Sequence, residues 1–86
     1  MIIRSQDKKS ITTDLNINIY EDDNGSGFEM INKSMTSLGT YSTEEKAIKV
    51  LDKIEQLYCD ALFTDEKMII ANRFCFEMPQ DEEVKA

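Results

Sequence analysis

Asp22-Asp23-Asn24-Gly25-Ser26-Gly27 is the densest run of oxygen donors in the chain. Asp22-x-Asn24-x-Ser26-Gly27 matches the first six positions of an EF-hand calcium loop, in which alternate oxygens wrap a hard cation and a glycine makes the sharp turn. The twelfth position must carry a bidentate Glu, and here it is Lys33. The flanking residues alternate like strands, where the motif needs helices. A phosphate cradle fits no better. Gly25-Ser26-Gly27 leads into a strand pattern instead of a helix N-terminus, and Glu21, Asp22 and Asp23 would repel an anion. The segment reads as a hairpin tip with Asn24-Gly25 as its turn dipeptide. Glu21, Asp22, Asp23 and Glu29 then form a projecting negative surface on which a basic partner could dock.

Other catalytic chemistry lacks its parts. No histidine is present to serve as base for a Ser or Cys nucleophile. The acid pairs Glu44-Glu45 and Glu82-Glu83 lie on a polar helix start and in a terminal segment, without the apolar pocket that raises a carboxyl pKa. Cys59 and Cys75 are too few for a closed zinc site and too far apart for a CxxC redox pair, so both are expected as reduced thiols. The chain reads as non-enzymatic, with neither metal nor cofactor. Arg4, Asn72 and Arg73 interrupt apolar strand patterns. With Tyr20 and Phe74 they are the pieces from which a ligand pocket between subunits could be built.

Composition narrows the partners. Net charge is −7 over 86 residues, with a pI near 4.4. Nucleic-acid binding draws its affinity from Lys and Arg on phosphates, so direct binding to DNA, RNA or an anionic membrane is disfavoured. The charge is uneven. Residues 1–13 carry +2, from Arg4, Lys8 and Lys9 against Asp7. Residues 14–30 carry −5, with no basic residue at all, and Asp81, Glu82 and Glu83 form a second acidic cluster. Such a protein attracts basic partners, including proteins that themselves bind nucleic acid. The first residues lack the basic and long apolar segments of a signal peptide, and no run approaches a membrane span, so a cytoplasmic location is expected.

The elements that would hold these residues follow from periodicity. Ile2 and Ile3, a polar turn, and Ile11-Thr12-Thr13 predict a short strand and turn. Leu15, Ile17 and Ile19 alternate with Asn16, Asn18 and Tyr20, which predicts a half-buried strand. Phe28 to Ile31 and Ser37 to Tyr41 predict two more. Ser42 and Glu45 have capping-box spacing. Apolar residues then recur at three- and four-residue steps from Ala47 to Leu62, which predicts an amphipathic helix from about Thr43 to Phe63. "KMIIANRFCFEMP" alternates again and predicts a C-terminal strand ended by Pro79. The expected fold is α+β: one small antiparallel sheet packed on one long helix, with a strand after it. Residues 1–79 form a single domain in this reading, and 80–86 an acidic, frayed tail. One helix covers one sheet face. The opposite face, with Tyr20, Ile31, Ile69 and Cys75, is a candidate homodimer surface.

Three segments carry a resemblance: "IRSQDKKSI" at 3–11, "LGTYSTEEKAIKVLDKI" at 38–54 and "FCFEMPQDEEV" at 74–84. They resemble a family of small, poorly characterised proteins of Gram-positive bacteria, their prophages and phages. The resemblance implies the same α+β layout and an accessory role, and it transfers no catalytic residues. Together these readings give the expected function. The chain is a non-catalytic phage or prophage interaction protein that inhibits a bacterial defence system in the manner of an anti-CRISPR, by engaging a basic nucleic-acid-binding host protein. Glu21, Asp22, Asp23, Glu29, Asp81, Glu82 and Glu83 are its contact residues. The alternatives are a sponge that sequesters a nucleotide signal through Arg4, Tyr20, Asn72, Arg73 and Phe74, and a structural or regulatory accessory subunit.

Overall fold

A computed structural model describes residues 2–62 and 75–85, apart from the side chains of 60–62. The order is β1 (Ile2–Arg4), β2 (Ile11–Thr12), β3 (Ile17–Glu21), β4 (Phe28–Asn32), β5 (Ser37–Tyr41), α1 (Glu44–Leu62), β6 (Cys75–Glu77) and a 3-10 turn (Asp81–Glu83). The fold is α+β, with a strand after the helix at Cys75–Glu77; the rest of the run predicted to alternate, 67–74, lies outside the described residues. The strands divide into two three-stranded sheets, in the orders β2-β1-β6 and β3-β4-β5. β3, β4 and β5 form an antiparallel meander with Ile19 opposite Met30 and Phe28 opposite Tyr41. β1 is antiparallel to β2 but parallel to β6, with Ile3 opposite Phe76. The antiparallel meander beside one helix is the expected layout; the parallel pairing of β6 is an addition to it, because the long connection through α1 lets the last strand enter beside the first in the same direction.

The core lies between the meander and α1. Met30, Leu38 and Tyr41 from the sheet meet Ala47, Val50 and Ile54 from the helix, and Ile3, Met78 and Val84 close one end. Leu15, Ile17, Ile19 and Phe28 pack half-buried against this cluster, while Asn16, Asn18 and Tyr20 face outward, as a period of two requires. Asn32 is buried beside Met30. It is satisfied by donating from Nδ2 to the Thr12 hydroxyl at 2.9 Å and accepting the Thr36 amide at 2.8 Å. Tyr58, on the expected apolar stripe of α1, is exposed.

The helix start differs by one residue from the predicted box. Thr43 is the cap: its hydroxyl accepts the Lys46 amide at 3.2 Å and its carbonyl accepts the Ala47 amide at 3.3 Å. Ser42 faces elsewhere. Its amide and hydroxyl both donate to the Asp81 carboxylate, at 2.8 and 3.1 Å. The segment expected to fray is correspondingly folded. Val84 is only 3% exposed, and the Lys49 ammonium donates to the Lys85 carbonyl at 2.7 Å. A buried apolar side chain directly after the acids anchors the tail, and the acidic run alone gives no sign of it.

Besides the Asn32–Thr12 bond, the two sheets are joined through the Gln6 side chain. The Gln6 amide group donates to the carbonyls of Thr40 and Pro79, each at 3.1 Å, and accepts the Thr40 N–H at 3.0 Å. The Tyr41 hydroxyl donates to the same Pro79 carbonyl at 2.8 Å, and the Gln80 side chain donates to the Gln6 carbonyl at 2.8 Å. Gly39 leaves room for this bridge, since a Cβ there would stand 3.0 Å from the Gln6 Cβ.

The β4–β5 turn carries strain. Met35 has φ 66°, is 78% exposed, and donates its amide to the Asn32 carbonyl at 2.9 Å. A left-handed conformation disfavours every L-residue except Gly and, less strongly, Asn and Asp. Met35→Asn is therefore expected to raise stability by about 0.5–1 kcal/mol, seen as a higher urea midpoint with unchanged slope.

Candidate docking surface

The β3–β4 tip is built from within. The Gly25 amide donates to the Asp22 carbonyl and the Asp22 amide to the Gly27 carbonyl, both at 2.8 Å, with Gly25 at φ 67°. This is the turn that Asn24-Gly25 predicts, and strands flank it on both sides. The Asp22 carboxylate accepts the Ser26 hydroxyl at 2.6 Å. That bond, and next the Asn24 amide, hold Asp22 below the usual carboxylate range. Asp22 is thus turned back onto its own loop, whereas Glu21 and Asp23 are exposed and present their charges outward. Glu29 stands on the outer face of β4 and accepts the Ser37 hydroxyl at 2.6 Å.

The second acidic cluster lies toward the same end of the meander as this tip. Gly27 is buried against β5, so that a Cβ would fall 2.9 Å from the Tyr41 carbonyl oxygen. The next residue, Ser42, holds Asp81, and α1 opens at Glu44 and Glu45. The hairpin, the helix start and the 3-10 turn are therefore all connected to the end of the meander where β5 runs into α1. Within the second cluster the roles differ. Asp81 also accepts the Lys46 ammonium at 3.3 Å. The Ser42 amide first, then its hydroxyl and Lys46, keep Asp81 below the ordinary value. Glu83 accepts the Gln80 amide at 2.7 Å, and Glu82 is exposed. Asp81 closes the fold, and sequence reasoning, which read it only as a contact residue, missed that role. No spacing rule announces it, because its partners Ser42 and Lys46 lie more than thirty residues away in the chain.

The ligand set is not brought together among the described residues. Arg4 lies on β1 and donates to the Lys8 carbonyl at 3.1 Å, while Tyr20 stands 54% exposed on the outer face of the other sheet. No described contact joins them. Asn72, Arg73 and Phe74 lie outside the described residues, as does Ile69 of the candidate dimer face. Of the rest of that face, Tyr20 and Cys75 are exposed and Ile31 is partly so.

No family model matches this chain. No curated protein and no solved structure shows significant similarity to it either. Among the described residues, no helix is long and apolar enough to cross a membrane.

The lowered carboxylates set a pH dependence. Asp7, Asp14, Asp22, Glu77 and Asp81 all sit below their ordinary values, chiefly through hydrogen bonds from Ser5, Ser34, Ser26, Lys8 and the Ser42 amide respectively. A depressed carboxyl stabilises the fold above its unfolded value and stops doing so as pH falls through its folded value. Urea midpoints are therefore expected to hold steady from neutral pH to about 5 and to fall progressively below about 4.

Proposed function

We propose that this chain is a non-catalytic, acidic interaction protein of phage or prophage origin that inhibits a bacterial defence system in the manner of an anti-CRISPR. It acts by docking its acidic end on the basic, nucleic-acid-binding surface of a host protein in the cytoplasm. The observation that carries the reading is that acids from three separate elements lie toward one end of the meander. Glu21, Asp23, Glu44 and Glu82 are exposed, and Lys46 is already paired with Asp81. A single-sign end steers an oppositely charged surface into encounter and competes with phosphates for the same Lys and Arg. The phage-associated resemblance supports the setting.

The test is affinity capture from a bacterial host lysate with the native chain and a Glu21→Lys/Asp23→Lys/Glu82→Lys variant. Basic nucleic-acid-binding proteins are expected on the native chain at about 50 mM salt and largely absent at about 500 mM, where the Debye length falls to a few ångströms. Added DNA or RNA should displace them. The variant should lose them, while its unfolding midpoint stays within about 0.5 kcal/mol of the native one. If the reversed chain captures the same proteins equally well, the acidic end is not the contact.

A further inference from the structure

Two open depressions among the described residues flank the same strand. On the outer face, about 530 Å³ is bordered by Asn16, Asn18, Tyr20, Ile31, Lys33 and Met35. On the helix side, about 470 Å³ is bordered by Leu15, Ile17, Leu51, Ile54, Glu55 and Tyr58. β3 runs between them. It is an edge strand with β4 as its only partner among the described residues. The Lys33 amide donates to the Asn16 carbonyl and the Asp22 amide to the Gly27 carbonyl, so the even-numbered residues of this strand face β4. The amides and carbonyls of Ile17, Ile19 and Glu21 consequently point to the open edge. The opposite edge of the sheet is treated differently: the Leu38 carbonyl and both backbone groups of Thr40 are taken by Gln6. Edges are commonly blunted by Lys, Pro or a bulge. Ile17-Asn18-Ile19-Tyr20 has no such residue, and its ladder with β4 has no register shift.

We infer that β3 takes up an extended segment of a partner protein as a seventh strand, with apolar side chains of that segment filling the groove at Leu15, Ile17 and Leu51 and basic residues at its end beside Glu21 and Asp23. The inference rests on the acidic docking proposed above and says how the partner is held. Charge selects the occupant. Residues 14–30 carry five acids and no base. A second copy paired antiparallel about Ile19 would lay Asp22 and Asp23 beside the other copy's Asn16, Leu15 and Asp14, carboxylate toward carboxylate. A basic strand meets attraction at the same place. Main-chain pairing then supplies affinity, and the two depressions on either side of β3 read alternate side chains.

The test is titration of the full chain with two synthetic peptides of one composition. One has a Lys-Arg pair followed by alternating Val and Thr. The other has the same residues ordered to abolish the alternation. Amide exchange is followed by NMR. With the alternating peptide, exchange at Ile17, Ile19 and Glu21 is expected to slow by about tenfold or more, because these amides gain acceptors. Ile19→Pro removes one outward amide and leaves the even-numbered bonds to β4 in place; it also gives up the Ile19 packing, so it should weaken binding about tenfold while the ladder amides of Asn18, Tyr20 and Asp22 keep their protection. Ile17→Glu, which puts charge at the groove, should do the same by a separate route. Equal binding of both peptides, with shifts confined to residues 21–27 and no effect of Ile19→Pro, would overturn the strand addition while leaving the acidic docking intact. Binding of neither peptide overturns it as well, and the lysate capture then decides the docking on its own. Self-association that Ile19→Pro abolishes would replace the basic strand with a second copy and so overturn the assigned occupant.

Discussion

Val84→Asp is expected to leave the domain largely unfolded at 25 °C. Val84 belongs to the core with Met78 and Ile3, and losing its burial alone removes about 1.5–3 kcal/mol. An unpaired carboxylate at the same site costs several kcal/mol more or must take up a proton. A domain of this size has about 5–10 kcal/mol in all. Lys85→Gln, one residue on, removes an exposed side chain whose backbone carbonyl still accepts from Lys49, and should change stability by less than about 0.5 kcal/mol. Circular dichroism with urea titration of the two variants is decisive. A native-like midpoint for Val84→Asp would mean that the tail does not seal the core.

Gln6→Glu should be the most costly near-isosteric change in the molecule. The amide satisfies one donor and two acceptors, and only a group that both donates and accepts can do so. A carboxylate keeps the bond from the Thr40 amide but turns its other oxygen on the Thr40 and Pro79 carbonyls. At pH 7 the loss should be about 2–4 kcal/mol, against about 1–3 for Gln6→Ala. The sign of the pH response identifies the cause. Between two carbonyls the new carboxyl prefers its proton, so its folded pKa lies above the unfolded value of about 4.3. The variant's deficit is then smallest below that value and grows as pH rises toward the folded pKa. The native chain behaves oppositely, being destabilised only as acid protonates Asp81 and its counterparts. Equal deficits for Gln6→Glu at pH 4 and pH 7 would refute the carbonyl contact.

What the sequence revealed and what it hid separate by range of interaction. The helix was legible because Ala47, Val50 and Ile54 recur on one face, and the hairpin because Ile17 and Ile19 alternate toward Asn24-Gly25. Both are local patterns. Thr43 displaced Ser42 as the cap because Asp81, nearly forty residues away, holds the Ser42 amide and hydroxyl. Pro79 looked like a terminator, which its missing amide makes it, yet its carbonyl is the acceptor shared by Gln6 and Tyr41. The parallel entry of β6 beside β1 is written in no single segment. Of the candidate surface, the projecting charge of Glu21 and Asp23 was legible. That the tip and the 3-10 turn share one end of the meander depends on Gly27 meeting Tyr41 and Ser42 holding Asp81, contacts that no spacing rule encodes.

The pairing of β1 with β6 also orders events in time. The meander and helix span residues 17–62 and depend mainly on neighbours in the chain, so they can form while later residues are still being made. Ile2–Arg4 can pair early with Ile11–Thr12, and Gln6 with Thr40, but their second partners, Cys75–Glu77 for the strand and Pro79 and Gln80 for the glutamine, close loops of more than seventy residues. Closing such loops is slow, because the entropy is lost before the contacts return any of it. On the ribosome, the meander and helix can therefore form first, and the end of the core that Met78 and Val84 close stays open until residues 75–85 have been added.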